Sequence, residues 1–317
     1  MAKTDTQRVK VITLGEILVE IMRPTGGEPL DRPGEFRGPF ASGAPAIFAV
    51  AAARLGLNSV FIGAVGNDAF GRMMKNTLTS ERVDLRGLQT TPDYATGAAF
   101  VAYDEAGGRE FVFHIRHAAS SQLKADSIPE QLFEGVKWLH ISGSTLVLNE
   151  DSRAACQYAL ELTRAMGGKI SLDPNIRPEL MPLESFREIV KPYLIQADLL
   201  LPTLGEARAL TGESDEHGAA QKLALNPGAI IVLKRSSGGC SIYQQGEHLE
   251  ISGFPVTEID PTGAGDCFSA AFIAGLEAGW PLEQIGRFAN AAGALAVTKL
   301  GPMEGAPTRS QVETLYG

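Results

Sequence analysis

The feature that most limits the possible folds is a regular alternation of strand-like and helix-like patterns between Lys137 and Lys234. Short apolar runs with strand character occur at 137–142, 169–173, 197–202 and 229–234. Between them lie longer runs with helical spacing, at 151–166, 183–193 and 206–211. Parallel strands need crossover connections that are usually helices, so this alternation indicates βαβ units. We therefore predict an α/β protein built on a mainly parallel sheet.

The N-terminal half departs from this pattern. The run from Val9 to Met22 begins as a continuous apolar stretch, as in a buried parallel strand, and alternates after an interruption near Gly15. Residues 23–44 are rich in proline and glycine, and a hairpin signal at 104–108 joins two β-rich runs, 95–103 and 109–115. No repeat or linker divides the chain. We expect one domain over residues 1–317, with a small β-sheet lid inserted in it as segments of about 15–44 and 95–117.

A glycine-rich turn lies near the C-terminus, Asp260-Pro261-Thr262-Gly263-Ala264-Gly265-Asp266. A strand-like run, Phe254–Ile259, precedes it, and a run of small apolar residues with helical spacing follows. Glycine permits close approach of a ligand to the backbone, and the first amides of a helix are unpaired donors at the positive end of its dipole. Asp266 could cap the helix, or it could accept a proton from a hydroxyl beside a bound phosphate. The stretch is either a capped tight turn or an anion site.

Polar clusters also occur at the ends of the predicted strands, where open parallel sheets bind ligands. The clusters are Gly15-Glu16, Gly66-Asn67-Asp68, Ser142-Gly143, Asp173-Pro174-Asn175-Ile176-Arg177, residues 203–206 and the glycine-rich turn. Arg177 and Arg116, the latter at the end of a lid strand, are candidates to bind carboxylate or phosphate, because a guanidinium suits both. The alternatives are an Asx turn with a solvated arginine and a surface charge on an edge strand.

The glycine-rich turn and the Asp173-x-Asn175-x-Arg177 run resemble signatures of the PfkB, or ribokinase-like, carbohydrate kinases, and the resemblance extends along almost the whole chain. It implies a three-layer α/β/α fold with a β lid, and an ATP-dependent sugar kinase. In such a kinase the backbone of Gly263, Ala264 and Gly265 holds the transferred phosphoryl group and Asp266 is the catalytic base.

The same resemblance implies roles for further residues. The sugar-binding residues would be Glu16, Gly43, Ala44, Arg116, Asn175, Arg177 and Asp266. The ATP-binding residues would be Thr203, Lys234, Ser236, Gly238, Gly263, Gly265 and Asn290. Glu206 would contact Mg²⁺ through water, since Mg²⁺ tends to keep its hydration shell. Asp260 and Thr262 resemble positions near a monovalent-cation site, which leaves K⁺ open as a further cofactor. Considered alone, Lys234 could be a solvated strand end and Asn290 an interior polar group of a helix.

Three departures from the family pattern bear on the substrate. Ile47 stands where most members have an asparagine that binds a sugar hydroxyl, and Thr203 replaces the asparagine of an Asn-x-x-Glu motif. His114-Ile115 replace the aromatic pair that precedes the lid arginine in 2-keto-3-deoxygluconate kinases. Three short sequence segments resemble the tagatose-kinase branch of the family instead: residues 42–48, 114–117 and 301–305.

These observations predict transfer of the γ-phosphoryl group of Mg-ATP to a primary hydroxyl of a small sugar, with a ketohexose such as tagatose or fructose favoured. A 2-keto-3-deoxygluconate kinase is the alternative, and a non-catalytic sugar sensor is a more remote one. A dinucleotide-dependent oxidoreductase would need GxGxxG after the first strand, where residues 14–18 read Leu-Gly-Glu-Ile-Leu. A Walker-type kinase would need Gly-Lys-Ser/Thr, which the sequence lacks.

Charge and cysteine content restrict the partners and the compartment. A net charge of −9 argues against nucleic acid or an anionic membrane as a partner, because both favour a basic surface. The three cysteines have no paired spacing and the N-terminus is polar, so we expect a reducing, cytoplasmic compartment. His114 and His117 would lie on opposite faces of a strand, which makes a metal site on them improbable. The exposed lid sheet predicts a homodimer in which two lids cover each other.

Overall fold

A computed structural model describes residues 10–104 and 108–317. The predicted strand start at Val9 and the polar segment before it lie outside the described residues. The strands are β1 (Lys10–Leu14), β2 (Leu18–Met22), β3 (Arg37–Ser42), β4 (Asn58–Gly66), β5 (Asp84–Thr91), β6 (Gly97–Tyr103), β7 (Arg109–His114), β8 (Val136–Ser142), β9 (Lys169–Asp173), β10 (Leu199–Leu200), β11 (Ile230–Lys234), β12 (Cys240–Gln244) and β13 (Glu247–Ile251). The α-helices are α1 (Ala44–Arg54), α2 (Ala69–Ser80), α3 (Gly143–Leu146), α4 (Glu150–Ala165), α5 (Leu183–Gln196), α6 (Leu204–Thr211), α7 (Glu216–Leu223), α8 (Ala264–Glu277), α9 (Leu282–Ala296) and α10 (Arg309–Tyr316).

The main sheet has nine strands in the order β13-β12-β11-β10-β9-β8-β1-β4-β5. All pairs from β11 to β5 are parallel, and only the edge hairpin β12–β13 adds antiparallel pairs. The central strands are almost entirely buried because both faces are covered: one apolar cluster includes residues of α4, α5 and α7, and another includes residues of α1, α8 and α9. The predicted three-layer α/β/α fold is confirmed.

A second, four-stranded sheet has the order β3-β2-β6-β7 and forms the lid. Its strands fall within the two predicted lid segments. The backbone amide of Asp104 donates to the carbonyl of Gly108 at 2.9 Å, as expected at a hairpin end, while residues 105–107 of the predicted turn lie outside the described residues. The smaller sheet is confirmed, and the assignment of the whole chain to one domain stays a prediction.

One strand prediction next to the glycine-rich turn is wrong. Residues 252–263 form no strand, and the side chain of Ile259 is 58% exposed. Pro255 and Pro261 cannot donate to a strand ladder, and the last strand before the turn is β13. The turn therefore enters α8 from a loop that leaves the antiparallel edge of the sheet. The part of the chain that the structure describes also contains no helix long and apolar enough to cross a bilayer.

Candidate active site

The first turn of α8 lies at a cleft between the main sheet and the lid, where Gly263 and Asp266 line the cleft and the Ala264 amide has only a long contact of 3.5 Å, to the Pro261 carbonyl. Gly263 precedes the helix with φ 81°, and a Cβ atom there would lie 2.3 Å from the carbonyl oxygen of Pro302, so only glycine fits. The first amides of a helix lack carbonyl partners within the helix. Gly263, Ala264 and Gly265 therefore have the backbone arrangement that suits an anion, at the positive end of a 14-residue helix, and their binding of a phosphoryl group stays a prediction.

Asp266 lies in this first helical turn and lines the cleft. Its side chain is buried, and burial together with the nearby Asp173 carboxylate raises its pKa to about 8, although Lys234 and Arg177 act in the opposite direction. No hydrogen-bond donor of the described residues contacts its carboxylate. A carboxyl group with a pKa near neutrality and no protein partner is suited to exchange a proton with a bound substrate.

Lys234 is a buried cation behind this turn rather than a solvated strand end. It ends β11, and its Nζ atom lies 2.5 Å from Oδ2 of Asp173, which ends β9. The same Nζ atom would lie 3.2 Å from a Cβ atom on Gly265. Ser269 donates to the carbonyl of Gly265 at 2.9 Å and lies 3.5 Å from the Asp173 carboxylate. The ends of two parallel strands thus support the start of α8.

A chain of buried hydrogen bonds forms the floor of the cleft. Asn175, with φ 41°, donates to the Ser142 hydroxyl at 2.9 Å, which lies 2.7 Å from the Ser144 hydroxyl. Ser144 and Thr145 donate to the two carboxylate oxygens of Glu16 at 2.5 and 2.7 Å. Burial raises the pKa of Glu16, and these two hydroxyl donors partly oppose it. This series of hydrogen bonds holds Glu16 and Asn175 in place on the cleft surface.

The lid supplies the opposite wall, and here one predicted residue is misplaced. Alternate residues of the β7 segment line the cleft: Arg109, Phe111, Phe113 and Ile115. Arg116 is exposed and lies outside this lining, because β7 ends at His114 and Arg116 falls in the turn that follows. Arg109 is therefore the lid arginine at the cleft, where the sequence analysis had expected Arg116.

Glu20 on β2 is a cleft residue that the sequence analysis missed. Its Oε2 atom accepts a hydrogen bond from Ser42 at 2.9 Å, and its buried Oε1 atom has no partner. Burial, with the Asp260 carboxylate as a smaller cause, raises its pKa to about 7. The alternation of β2 could have indicated that Glu20 shares a face with Leu18, but not which sheet face meets the cleft.

These elements line a cleft that is open to solvent on one side. Gly43, Ala44 and Ile47 at the start of α1 line it together with Arg177 and Thr262. Ile47 thus occupies the cleft at the position where the sequence analysis noted a missing asparagine. Of the predicted sugar-binding residues, the structure brings Glu16, Gly43, Ala44, Asn175, Arg177 and Asp266 together, and it leaves Arg116 out.

Apart from Lys234, the predicted nucleotide residues outside the turn lie in three separate places. Ser236 and Gly238 are exposed in a short turn after β11. Asn290 is buried in α9 and donates to the carbonyls of Ile251 and Ser252 at 3.2 and 3.1 Å, which is the interior role considered for it above. Thr203 begins α6 as its exposed N-cap. None of these four residues lines the sugar-side cleft.

The Glu206 carboxylate suits an indirect contact with Mg²⁺. Its Oε1 atom accepts from the Ile176 amide at 2.8 Å, and its Oε2 atom accepts from the amide and hydroxyl of Thr203 at 2.8 and 2.9 Å. These bonds hold the carboxylate in place and leave Oε1 free to accept one further hydrogen bond. A water of a hydrated Mg²⁺ could provide that bond, so the residues fit the predicted water-mediated role.

A directly bound monovalent cation fits Asp260 less well. The carboxylate is 1% exposed and accepts from the Tyr103 hydroxyl, the Thr262 amide and the Gly301 amide at 2.7, 3.0 and 2.9 Å. These donors leave one acceptor position on Oδ2, but the carboxylate is enclosed by protein and offers almost no exposed surface to a cation. As arranged, Asp260 and Thr262 do not fit a cation bound to the Asp260 side chain.

A base beside a helix N-terminal anion site, at the strand ends of a parallel sheet and under a β lid, defines a phosphotransferase that acts on a small hydroxyl compound. The model of the pfkB family carbohydrate kinases matches residues 9–309. The chain belongs to this family and is a carbohydrate kinase.

Named relatives and solved structures agree with this assignment. A fructokinase of Salmonella typhimurium is 34% identical over 307 residues, which cover 94% of this chain and 96% of the relative. An E. coli protein described as a ribokinase II, solved with ATP and Mg²⁺, superposes with a TM-score of 0.90 at 40% identity over 97% of this chain and 98% of its own. A Vibrio cholerae fructokinase with fructose, ADP and calcium bound gives a TM-score of 0.85 at 30% identity, covering 98% and 99%.

Proposed function

We propose that this protein transfers the γ-phosphoryl group of Mg-ATP to a primary hydroxyl of a ketohexose such as fructose or tagatose. The observation that carries the proposal is the position of the Asp266 carboxyl, which faces the cleft without a protein donor beside the amides of Gly263, Ala264 and Gly265. A hydroxyl against Asp266 and a phosphoryl group against these amides would be neighbours.

In the proposed reaction the ionised form of Asp266 takes the proton of the sugar hydroxyl, the hydroxyl oxygen forms the new bond to phosphorus, and the bond from phosphorus to ADP breaks. The amides of the turn then stabilise the charge that develops on the phosphoryl oxygens. Mg²⁺, when bound, neutralises charge on the phosphates. Lys234 adds a fixed positive charge behind the turn, and the lid excludes water that would otherwise accept the phosphoryl group.

A neutral sugar is compatible with the polar groups of the cleft. Glu16, Glu20 and Asp266 supply three carboxyl groups whose pKa values are raised by burial, so protonated and ionised forms are both available to bind sugar hydroxyl groups. The names of the curated relatives point the same way, since they are fructokinases.

The second candidate is a 2-keto-3-deoxygluconate kinase. It is favoured by one observation, the presence of Arg109 and Arg177 in the same cleft, because two guanidinium groups could bind a carboxylate. The names of the curated relatives, which are fructokinases, argue against it.

We also propose a homodimer formed through the lid and a cytoplasmic location. The outer side of the lid exposes apolar side chains, among them Phe36 at 41% and Val112 at 41%, and this exposure supports the first proposal. All three cysteines are free and buried, which agrees with a reducing compartment. Light scattering that gives the mass of one chain would overturn the dimer.

The test of the function is sugar-dependent ADP release with Mg-ATP across tagatose, fructose, ribose, 2-keto-3-deoxygluconate and adenosine. Asp266→Asn is the blank, and it should lose roughly 10²- to 10⁴-fold in turnover while keeping its affinity for ATP. Turnover confined to ketohexoses supports the proposal. Preference for the keto acid would favour the second candidate. The absence of ADP release with every compound of the panel would favour a sugar sensor.

A further inference from the structure

One side-chain contact joins the lid to the loop that carries the catalytic turn. Tyr103 is the last residue of β6, and its hydroxyl donates to Oδ1 of Asp260 at 2.7 Å and lies 3.2 Å from the Thr262 hydroxyl. Within the described residues, no other side chain of β6 or β7 forms a hydrogen bond with residues 260–266. Burial raises the pKa of Tyr103, so the hydroxyl stays protonated and remains a donor.

The partner of Tyr103 is itself tied to the turn. Asp260 also accepts from the amides of Thr262 and Gly301, and the residue after Gly301, Pro302, has its carbonyl oxygen against Gly263. A buried carboxylate depends on its donors, since each lost donor leaves charge uncompensated. Removing the Tyr103 hydroxyl would therefore disturb the group of contacts that sets the position of Gly263.

At its other side, Tyr103 is tied to the part of the lid that meets the substrate. It pairs with Arg109 across the β6–β7 ladder, and residues directly opposite each other in an antiparallel pair project to the same face. Arg109 lines the cleft, as do Phe111 and Phe113 farther along β7. The position of this wall and the position of Asp260 are thus linked through one hydroxyl.

We propose that Tyr103 is a positioning residue that couples the lid to the phosphoryl-binding turn. With the lid over the sugar, Tyr103 completes the donor set of Asp260 and the turn is held ready for transfer. With the lid lifted, Asp260 loses one of its three protein donors and the turn is less well held. The coupling favours transfer to an enclosed sugar over transfer to water. This inference rests on the proposed kinase function and adds a residue that acts through Asp260 without touching either substrate.

The test is Tyr103→Phe, which keeps the ring and removes only the hydroxyl. ADP and sugar phosphate are measured separately with the best sugar of the panel. We expect kcat to fall roughly 10-fold, the scale of one lost hydrogen bond to a charged group, and the ratio of ADP to sugar phosphate to rise above one. The KM for ATP should stay near the wild-type value. Tyr94→Phe is the matched control, because Tyr94 is 40% exposed just before β6, and it should change none of these quantities.

A second variant separates coupling from a general loss of stability. Thr262→Val removes the other hydroxyl at this contact, and if Tyr103 acts through the Asp260–Thr262 group, the double variant should be little worse than Tyr103→Phe alone. Additive losses would overturn the coupling. The coupling would also be overturned if the wild type is active and Tyr103→Phe has the same kcat and product ratio as the wild type. That result would leave the kinase function intact. A wild type that phosphorylates no sugar would overturn both.

Discussion

The Nζ atom of Lys234 lies 2.5 Å from Oδ2 of Asp173, and the two side chains are only 10% and 5% exposed. This ion pair joins the ends of two strands of the parallel sheet directly behind the first turn of α8. Its charge reaches the catalytic carboxyl, because Asp173 raises the pKa of Asp266 and Lys234 lowers it. The pair therefore has a role in stability and a role in the electrostatics of the site.

Lys234→Met should be strongly destabilising, because it leaves the Asp173 carboxylate buried without its cation. Breaking a buried pair in this way costs about 3–5 kcal/mol. The chain offers a matched control, Lys222→Met, since Lys222 also lies 2.5 Å from a carboxylate, that of Glu213, but with side chains 57% and 32% exposed. The control should lose at most about 1 kcal/mol. Urea unfolding at pH 7 measures both, and equal losses would contradict the role assigned to the buried pair.

Asp266→Asn should stabilise the ligand-free protein, and more so at high pH. The pKa of Asp266 is raised from 3.8 to about 8, so the folded protein holds this proton where the unfolded chain has lost it. The stability that protonated Asp266 contributes is fully present below pH 3.8, the pKa of this residue in the unfolded chain, and it is lost as the pH rises toward 8, its pKa in the folded protein. Asparagine carries no such proton. Between pH 5 and pH 8 the gain over wild type should grow by more than about 1.4 kcal/mol, the equivalent of one pKa unit.

Urea unfolding without substrates at pH 5, 6.5 and 8 checks this slope. Asp31→Asn is the control, because the Asp31 side chain is 81% exposed, and its difference from wild type should not change with pH. A gain for Asp266→Asn that is the same at all three values would mean that Asp266 is ionised in the ligand-free protein throughout this range.

The sequence predicted the main sheet and the glycine-rich turn before α8 because both depend on local patterns. The alternation of apolar strands and helices between Lys137 and Lys234 leaves few topologies, and Gly263 is required by the backbone conformation of the turn itself. The edge hairpin β12–β13 and helices α7 and α10 were missed. They lie at the margin of the sheet or on the surface, where the apolar pattern is weaker.

The local sequence patterns did not predict which lid arginine lines the cleft or which β-rich run forms a strand. Arg109 pairs within the β6–β7 ladder and lines the cleft, whereas Arg116 lies in the turn after β7, and the β-rich composition of 109–115 did not show where the strand ends. Phe254–Ile259 has the composition of a strand, but the prolines on either side of Val256–Ile259 remove ladder donors and the run stays irregular. In both cases tertiary contacts decide among structures that the local sequence allows.

Glu20→Gln should weaken sugar binding. The buried Oε1 atom of Glu20 has no protein partner, so we expect it to accept a hydrogen bond from a sugar hydroxyl, while glutamine can still accept from Ser42. The sugar KM should rise roughly 10-fold and the KM for ATP should not change.

The pH dependence of sugar binding gives a second test of Glu20. Because its pKa is raised to about 7 and the ionised form accepts hydrogen bonds better, the wild-type sugar KM should fall as pH rises through 7, and Glu20→Gln should lack this fall. Glu28→Gln, at an exposed position of the loop after β2, is the control. A sugar KM that is unchanged in Glu20→Gln would remove Glu20 from the sugar site.

Arg109→Met and Arg116→Met form a matched pair that tests the lid arginine. Arg109 lines the cleft and pairs with Tyr103 across the ladder, whereas Arg116 is exposed outside the lining. We expect kcat/KM for the sugar to fall roughly 10-fold or more in the first variant, the scale of a hydrogen bond to a charged group, and to stay within about twofold in the second. Steady-state kinetics with saturating Mg-ATP measures both.

The same pair of variants distinguishes the two candidate substrates. If Arg109 contacts hydroxyl groups of a neutral ketohexose, its loss should affect fructose or tagatose and should not create selectivity for or against an acid. If Arg109 and Arg177 instead bind a carboxylate, Arg109→Met should abolish turnover of 2-keto-3-deoxygluconate and leave ketohexose turnover nearly unchanged, because only the acid carries the group that the guanidinium would neutralise. A larger loss in Arg116→Met than in Arg109→Met would mean that the lid binds the sugar through its other face, and the cleft wall described above would then not be the substrate-binding wall.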